Sequence, residues 1–368
     1  MKILYVTTTT DLGGAEKALL DLVRTLAKDH QVKVVSLKPL GSLSPLFRET
    51  GAQVSSCSKG GVVGTVRALT KEIEEFQPDI VHGILFRGME YARLACRNNV
   101  FPLLTTPHFD FSKKNFLFRR LDKILRRRDT YTVAESDSTY RYFLAEQGYP
   151  KEKLRCIFNA PQAGKFFPDE SARNRMRTKL GYIDNQTVFL SVSRLEKVKN
   201  PLLLLQSFSV IYRREESVRL VLVGGGSQKK KLEQFIAENK LQKAISLVGE
   251  QENINDWLNM ADVFVLPSKE ESLPLSLLEA LQAGKPCIVS NVGDMPLWVR
   301  HGENGFVAKA GDKTLLACLM AELAANVDLR KKMGEISLKK SKEINNMTLE
   351  YKHLYQQVLE ESFHVKTL

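Results

Sequence analysis

Two glutamates spaced eight residues apart, Glu271 and Glu279, lie in the stretch VFVLPSKEESLPLSLLEALQAGKPCIV, which runs from Val263 to Val289. The stretch begins as a buried strand, continues as a polar loop that carries Glu271, and then forms a helix that carries Glu279. Ligands bind at the carboxyl ends of parallel strands, and a helix N-terminus attracts phosphate. Two carboxylates on either side of that helix end could therefore hold the hydroxyls of a ligand. The alternative is that both are solvated surface acids.

The ends of this helix carry their own signals. Ser272 is the predicted N-cap, and Pro274 suits the first turn because it needs no amide partner. Gly284 suits a left-handed stop at the C-terminal end, and Pro286 prevents continuation. A second buried strand then begins at Cys287. The order strand, loop, helix, strand is typical of a parallel α/β sheet.

Two cations, Arg194 and Lys199, lie between a predicted strand and a helix that begins at Pro201. Positive charges at a helix N-terminus repel the helix dipole unless an anion lies between them. This conflict favours a phosphate ligand, which Arg194 would bind as a fork and Lys199 as a point charge. The alternative is that they are exposed loop cations.

Glycines recur at the same kind of turn. Gly13 and Gly14 follow the first predicted strand and open a helix, where they would let a ligand approach closely. The loop is not a complete dinucleotide fingerprint, and Leu37 and Lys38 stand where its acidic residue would be. The run from Gly224 to Ser227 could approach a phosphate or a sugar, or could be a flexible turn.

His108 ends another predicted strand, in the run Thr106-Pro107-His108. A lone histidine is more often structural than catalytic. Its position at the carboxyl edge of a sheet favours a functional role modestly.

A basic amphipathic helix is predicted within residues 113–128. Its apolar face consists of Phe116, Leu117, Leu121, Ile124 and Leu125. Its cations are Lys113, Lys114, Arg119, Arg120, Lys123, Arg126, Arg127 and Arg128. This pattern is typical of helices that contact anionic membrane surfaces. Two alternatives are that the apolar face packs on the core and that the basic face binds an anionic acceptor. We expect the apolar face to be partly core, with the cations at its rim.

The 368-residue chain has a formal net charge of +12, which favours an anionic partner: a membrane surface, a nucleic acid or a phosphorylated ligand. Its five cysteines include no CxxC pair, which argues against a disulfide framework and a zinc site. No apolar run approaches the ~20 residues that cross a bilayer. We therefore expect a cytoplasmic protein that is peripheral on the membrane.

Predicted strands alternate with predicted helices along the whole chain, which indicates doubly wound parallel sheets. The chain is longer than one typical domain, and a link containing Gly and Pro runs from Pro161 to Pro168. We therefore expect two similar Rossmann-like α/β domains, at 1–162 and 168–345. A terminal amphipathic helix within 346–368 is expected to pack back on the body.

With these residues in place, nearly the whole chain resembles the retaining glycosyltransferases of the GT-B fold, in glycosyltransferase family 4. The E-x7-E motif of that family matches Glu271 to Glu279, and the sequence continues in the family's style as LEALQAGKPCIVSNVGDMP. The family's Arg and Lys pair matches Arg194 and Lys199. The segments VRLVLVGGGS, ISLVGE and ADVFVLPS also occur in the family's order.

The resemblance implies two domains that face each other across a cleft. The domain at 1–162 would bind the acceptor, and the domain at 168–345 would bind a nucleotide sugar. The helix at 346–368 would cross back to the first domain.

The resemblance also implies roles for the charged residues. Arg194 and Lys199 would bind the donor diphosphate and compensate its charge as the leaving group, without a metal or another cofactor. Glu279 would hold the ribose hydroxyls, and Glu271 would lie near the donor sugar and the reacting centre.

Further positions follow from the same resemblance. His108 would face the donor sugar from the first domain and join the catalytic set, while Glu250 and Gln251 would lie near the base. The remaining donor-binding positions are Gly13, Gly14, Ser272, Leu273, Pro274 and Leu275.

Two positions depart from the family pattern. Ser272-Leu273-Pro274 stands where the family often has Gly-Phe-Gly, and Asn159-Ala160 stands where Asn-Gly is usual. Pro274 cannot donate an amide hydrogen, so the contacts of this loop to the sugar and phosphate are expected to differ. Neither change removes a charge.

The function these features favour is transfer of a sugar from a nucleotide donor, UDP-linked by preference. The acceptor would be lipid-linked or a surface polysaccharide of the lipopolysaccharide, O-antigen or capsule type. Same-face attack would retain configuration, with the leaving phosphate accepting the proton and no enzymic nucleophile. A sugar-nucleotide epimerase or hydrolase on the same fold is the alternative enzyme.

A nucleic-acid-binding protein is the non-enzymatic alternative, and it is the less favoured one. It rests on the positive charge and on a faint interleaving of aromatics with cations at Phe109, Phe111, Phe116 and Phe118. It leaves the spacing of Glu271 and Glu279 unexplained. No nucleic-acid partner is therefore expected.

Overall fold

The computed structural model describes residues 1–96, 101–108, 116–162 and 164–366. The chain forms two compact units. Unit 1 contains Met1–Ala160 together with Asn345–Leu368, and unit 2 contains Pro161–Ile344. The chain therefore leaves unit 1 once and returns to it for its last helix.

Unit 1 is built on a parallel sheet that has seven strands within the described ranges. They are β1 (Lys2–Thr7), β2 (Gln31–Ser36), β3 (Gln53–Ser56), β4 (Ile80–Ile84), β5 (Leu103–Thr106), β6 (Tyr131–Ala134) and β7 (Leu154–Cys156). Their order is β3-β2-β1-β4-β5-β6-β7. The order reverses between β1 and β4, which makes that position the topological switch point where such sheets bind ligands.

The helices of unit 1 cover this sheet. They are α1 (Gly14–Leu26), α2 (Ser44–Glu49), α3 (Gly61–Phe76), α4 (Leu85–Ala95), α5 (Phe116–Leu125), α6 (Asp137–Ala145) and, at the end of the chain, α15 (Met347–Lys366). The central strand β1 is almost wholly apolar and is fully buried from Ile3 to Val6. A strand that is apolar on both faces is the expected pattern for a parallel sheet with helices on each side.

The last helix, α15, packs on the middle of the unit 1 sheet. Its Tyr355 hydroxyl lies 2.9 Å from the Tyr5 hydroxyl of β1 and 2.7 Å from Nδ1 of His82 on β4. All three side chains are buried. Their polar atoms are thus hydrogen-bonded where water cannot reach, as buried polar groups require.

Unit 2 repeats the architecture with a parallel sheet of six strands among the residues described. They are β8 (Thr187–Val192), β9 (Val218–Val223), β10 (Ile245–Leu247), β11 (Val263–Leu266), β12 (Cys287–Ser290) and β13 (Gly305–Ala308), in the order β10-β9-β8-β11-β12-β13. The helices are α7 (Glu170–Leu180), α8 (Pro201–Tyr212), α9 (Lys229–Glu238), α10 (Ile254–Met260), α11 (Leu275–Gln282), α12 (Met295–Trp298), α13 (Lys313–Ala325) and α14 (Val327–Ser341).

The predicted fold class, two doubly wound parallel-sheet α/β domains, is confirmed. The strand β13 was not predicted, because its four residues carry neither a β-branched run nor an alternating pattern. It begins at Gly305, where a Cβ atom would lie 2.0 Å from the Cys287 carbonyl oxygen of β12. No helix of the described chain is both long and apolar enough to cross a membrane.

Candidate functional site

The loops that follow β8 and β9 at the carboxyl edge of the unit 2 sheet are packed tightly together. The Leu195 amide donates to the Gly225 carbonyl oxygen at 2.7 Å. A Cβ atom at Gly224, where φ is 137°, would lie 2.0 Å from the Ser193 carbonyl oxygen. The glycine run therefore serves close contact between the two loops and is not simply a flexible turn. It fixes the backbone that carries Arg194.

The loop after β11 is hydrogen-bonded to the loop after β8, and the loop after β12 is hydrogen-bonded to the loop after β11. The Lys269 amide donates to the Val198 carbonyl oxygen at 2.8 Å, and the Asp294 amide donates to the Ser272 carbonyl oxygen at 2.8 Å. Four successive loops at one sheet edge are therefore held by main-chain contacts. This edge brings together residues that are distant in sequence, as parallel sheets do.

Lys199 and Glu271 meet at this edge. The Lys199 ammonium group forms an ion pair with Oε1 of Glu271, and the Ser268 hydroxyl donates to the same oxygen at 2.9 Å. The side chains of Lys199 and Glu271 are 17% and 9% exposed, so the pair is partly desolvated yet open to a ligand. The predicted phosphate cation and the predicted sugar carboxylate are thus neighbours. Ser268 was missed in the sequence, although it follows a strand end and precedes Glu271 by three residues.

The Arg194 side chain is exposed. The acid in the same loop, Glu196, is hydrogen-bonded to Ser227. Glu196 accepts hydrogen bonds from the Ser227 hydroxyl at 2.6 Å and from the Ser227 amide at 2.9 Å. The hydroxyl hydrogen bond, with the amide, holds the pKa of Glu196 below its usual value. The charge of Arg194 also contributes to the lowered pKa of Glu196, and its exposed guanidinium remains accessible to an anionic ligand.

Glu250 and Gln251 follow β10 and border the same loops. A Cβ atom at Gly225 would lie 3.0 Å from Oε1 of Glu250, so the glycine leaves space for that carboxylate. The Gln251 side-chain amide donates to the Val248 carbonyl oxygen at 2.8 Å. Both predicted base-binding residues therefore lie at the carboxyl edge of the sheet.

The helix α11 carries Glu279 in its second turn, where the side chain is half-buried. The predicted N-cap at Ser272 is wrong. Pro274 is the N-cap, with extended backbone (φ −76°, ψ 127°), and no side chain caps the helix. Ser272 instead takes part in the main-chain contact with the loop after β12, which pulls it away from the helix end. Gly284 has a left-handed φ of 66°, as predicted for the stop.

The neighbouring positions of the α11 loop differ in exposure. Leu273 is buried, whereas Leu275 and Pro274 are half-buried. Leu273 therefore supports the loop from inside rather than lying at its surface.

In unit 1, Gly13 and Gly14 open α1 directly after the loop that follows β1. A Cβ atom at Gly13 would lie 2.2 Å from Oε2 of Glu16, which folds back over the helix start. A Cβ atom at Gly14 would meet nothing within 4 Å. A side chain at Gly13 would therefore displace the Glu16 carboxylate, while the space beside Gly14 is open to a ligand.

His108 follows β5 in a left-handed backbone conformation, with φ 47°. Its Nδ1 atom lies 3.4 Å from the side-chain amide nitrogen of Asn159, which follows β7. Burial lowers the pKa of His108 to about 4, so the imidazole is neutral near pH 7. It can exchange hydrogen bonds with a sugar hydroxyl but does not supply a positive charge.

The basic helix corresponds to α5 and to a 3-10 turn at Arg126–Arg128. Lys113 and Lys114 lie outside the described residues, as do Phe109 and Phe111. Arg120, Lys123 and Arg127 are exposed, and Arg119 and Arg128 are half-buried.

Arg126 does not belong to the exposed basic surface, which corrects the predicted patch. Its side chain is 8% exposed, and its guanidinium carbon lies 4.1 Å from the centre of the Tyr149 ring. Its Nη2 atom also donates to the Gly148 carbonyl oxygen at 3.1 Å. These contacts turn Arg126 inward, away from any membrane or acceptor.

No group of three or more His, Cys, Asp or Glu residues within the described ranges is arranged to hold a metal ion. The titratable groups of unit 2's sheet edge instead include both signs of charge, with cations from the β8 loop and carboxylates from the β11 loop and α11. This combination suits a ligand that carries both phosphates and hydroxyls.

Two family models match the chain. The model described as Glycosyltransferase Family 4 matches residues 12–160, and the model described as Glycosyl transferases group 1 matches residues 172–340. The first lies in unit 1 and the second lies in unit 2.

Several named proteins are similar in sequence. The chain is 25% identical to the D-inositol 3-phosphate glycosyltransferase of Streptomyces scabiei, over 89% of this chain and 82% of that protein. It is 28% identical to UDP-Gal:alpha-D-GlcNAc-diphosphoundecaprenol alpha-1,3-galactosyltransferase of Escherichia coli, over 67% of this chain and 66% of that protein. It is also 28% identical to N-acetyl-alpha-D-glucosaminyl L-malate synthase of Bacillus anthracis, but spans only 48% of that protein.

Solved structures are similar in fold. Anabaena HepE in complex with UDP-glucose matches with a TM-score of 0.85 at 20% identity, covering 100% of both chains. WaaG, a glycosyltransferase involved in lipopolysaccharide biosynthesis, matches with a TM-score of 0.78 at 14% identity, covering 96% of this chain and 99% of that one. With both family models matched and this fold shared, the chain belongs to the glycosyltransferases of group 1 and family 4, which have the GT-B fold.

Proposed function

We propose that this glycosyltransferase retains anomeric configuration and transfers a hexose from a UDP-linked donor to a lipid-linked or surface-polysaccharide acceptor. The observation that carries the proposal is the meeting of Lys199 and Glu271 where the loops after β8 and β11 are joined. The diphosphate of a sugar nucleotide needs a cation such as Lys199, and a sugar hydroxyl needs a hydrogen-bond acceptor such as Glu271. One sugar nucleotide would use both.

The proposed roles follow from charge and position. Arg194 and Lys199 bind the diphosphate and stabilise it as the leaving group, without a metal ion. Glu279 binds the ribose hydroxyls, and Glu271 binds the donor sugar. His108 contributes to transfer as a neutral hydrogen-bonding group, consistent with its lowered pKa.

The proposed chemistry is same-face substitution at the anomeric carbon. The bond from that carbon to the diphosphate oxygen breaks, the acceptor oxygen bonds on the same face, and the acceptor proton passes to the leaving phosphate. No enzymic nucleophile is required. Glu271 already accepts hydrogen bonds from Lys199 and Ser268. These contacts make its carboxylate a weaker nucleophile, which supports a mechanism without an enzymic nucleophile.

The names of the similar proteins support the donor and acceptor classes. The Escherichia coli relative is named for UDP-galactose and for an acceptor linked to diphosphoundecaprenol. HepE has been solved with UDP and with UDP-glucose. We propose the same classes for this chain, with the enzyme peripheral on the cytoplasmic face of an anionic membrane.

A thermal-shift panel of UDP-, ADP- and GDP-sugars tests the proposal, with single-stranded DNA included for the alternative function. UDP-sugars should raise the unfolding temperature of the wild type, and the effective UDP-sugar should then label a lipid extract in the presence of membranes. Stabilisation by no nucleotide would overturn the transferase proposal. Release of free sugar without labelled lipid would instead indicate a hydrolase.

A further inference from the structure

A chain of hydrogen bonds connects the last helix, α15, to the end of β5 in unit 1. The Tyr355 hydroxyl lies 2.7 Å from Nδ1 of His82 on β4, and Nε2 of His82 lies 2.8 Å from the Thr106 hydroxyl on β5. The Tyr351 hydroxyl of α15 lies 3.2 Å from the same Thr106 hydroxyl. We call these four side chains the α15 network (His82, Thr106, Tyr351 and Tyr355). Because Tyr351 and Tyr355 are four residues apart, both lie on the helix face that packs on the sheet.

The α15 network is buried. His82, Thr106 and Tyr355 are 0% exposed, and Tyr351 is 3% exposed. Burial lowers the pKa of His82 to about 3, with the charge of His108 acting in the same direction, so the His82 ring is neutral near pH 7. Apolar side chains could cover this face of the sheet without the desolvation of four polar groups. A fully hydrogen-bonded network adds a single preferred arrangement of the side chains that form it.

The network reaches the strand end that leads to His108. Thr106 is the last residue of β5, and Pro107 follows it with a φ torsion that its ring restricts. His108 then has a left-handed φ of 47°, a conformation that persists in a non-glycine residue when the surrounding structure imposes it. Nδ1 of His108 lies 3.4 Å from the side-chain amide nitrogen of Asn159. The position of His108 therefore depends on where Thr106 is held.

We propose that α15 positions His108 for transfer, with the hydrogen bonds from Tyr355 through His82 to Thr106 fixing the strand end that leads to His108. The proposal deepens the proposed function, on which it rests for the role of His108 at the donor sugar. The members of the α15 network are positioning residues that act through His108. The alternative is that the network only stabilises unit 1.

The ring signals of His108 in nuclear magnetic resonance spectra test the proposal without any substrate. In protein that contains isotope-labelled histidine, the His108 signals are identified by their absence from His108→Ala. Thr106→Val removes the hydroxyl, keeps a β-branched side chain and should shift these signals. Tyr5→Phe is the matched control, because the Tyr5 hydroxyl lies 2.9 Å from the Tyr355 hydroxyl and outside the path to His108. It should leave the His108 signals in place. Unshifted His108 signals in Thr106→Val would overturn the proposal.

Transfer kinetics separate positioning from stability. Thr106→Val and Tyr355→Phe should lower kcat by about tenfold or more, because a displaced catalytic group is costly, and should leave the KM for the donor within about twofold. Thr106→Ser keeps the hydroxyl and should recover most of kcat. Tyr5→Phe should destabilise unit 1 as Tyr355→Phe does, yet keep the wild-type kcat. If kcat instead followed the unfolding free energy across these variants, the network would be only structural.

A double-variant cycle tests whether His108 is the group acted on. Thr106→Val should lower kcat in the wild-type background and should have little further effect in His108→Ala. UDP binding should be the same in all these variants, because Arg194 and Lys199 belong to unit 2. Failure of the transferase proposal would appear separately, as absence of UDP binding by the wild type. Equal losses of kcat from Thr106→Val in both backgrounds would overturn the positioning of His108.

Discussion

Lys199 has two possible partners in the proposed reaction. Glu271 holds it in the structure, with Ser268 supporting the carboxylate, and the donor diphosphate would require the same ammonium group. In the proposed reaction, a nucleoside diphosphate would therefore compete with Glu271 for Lys199. As the sugar left, Glu271 would pair again with Lys199 and favour release of the nucleotide.

Replacing Glu271 by Gln tests this competition. Glu271→Gln should bind UDP several-fold more tightly, because the neutral amide holds Lys199 less strongly, and should transfer sugar much more slowly. Calorimetric titration of UDP and initial transfer rates measure the two effects. Glu270→Gln is the control, since Glu270 is an exposed neighbour in the same loop and should change neither quantity greatly. Weaker UDP binding by Glu271→Gln would contradict the competition.

Residue spacing identified the charged groups but not their contacts. Glu271 and Lys199 could be singled out because strand ends of a parallel sheet meet at one edge. Their ion pair could not be predicted, because it depends on the hydrogen bond between Lys269 and Val198 that connects the loops after β11 and β8. The inward turn of Asp122, which is buried on α5, was also hidden in the sequence, where a single acid among many cations resembles part of a solvated face.

The helix α5 is anchored by a buried ionic cluster around Arg93, whose charge state affects unit 1. Arg93 donates to Glu90 at 3.0 Å, and Asp122 and Asp129 accept from the same guanidinium. Burial raises the pKa of Glu90 to about 7, with the two aspartates adding to the effect and Arg93 opposing it. Glu90 is 6% exposed, so its titration acts on the interior of unit 1.

Titration of Glu90 makes the stability of unit 1 depend on pH. Because the folded pKa of Glu90 is raised, the folded chain holds its proton more tightly than the unfolded chain does. Unit 1 should therefore lose stability as the pH rises from about 4.5 through about 7, by on the order of 3 kcal/mol. Glu90→Gln should remove this loss. Chemical denaturation of both proteins across that range measures the difference, and parallel curves would contradict it.

Element boundaries followed closely from the sequence where an apolar run ended at a Gly, Pro or polar cluster. The strands β11 and β12 begin at Val263 and Cys287, as expected. The errors lie where a tertiary contact overrides a local signal. Ser272 is drawn to Asp294 instead of capping α11, and β13 pairs with β12 despite its weak pattern.

The chain ends in the unit where it begins. The helix α15 returns to unit 1 and buries Tyr355 against Tyr5 and His82. The two units have separate cores, so each should report its own perturbations. Packing of the last helix on the body was expected from its apolar spacing, and its return to the first domain was implied by the family resemblance. The hydrogen bonds that hold it required the structure.

Tyr355→Ala tests the dependence of unit 1 on α15. The substitution removes a fully buried aromatic ring and two hydrogen bonds, so unit 1 should lose about 3–5 kcal/mol of unfolding free energy. The unfolding of unit 2 should be unaffected. Leu349→Ala is the control, because Leu349 lies on the same helix and is 48% exposed. Calorimetry measures both transitions, and equal destabilisation of the two units would contradict the assignment.

The loops at the carboxyl edge of unit 2 are proposed to bind a nucleoside diphosphate through Arg194 and Lys199. The decisive measurement is equilibrium titration of UDP into the wild type, Arg194→Ala, Lys199→Ala and Lys197→Ala. Lys197 is an exposed cation of the same loop and controls for the general loss of positive charge. Arg194→Ala and Lys199→Ala should each weaken UDP binding by about 10- to 100-fold, as expected for a lost charged hydrogen bond, while Lys197→Ala stays within about twofold. Equal affinities in all four proteins would contradict the claim.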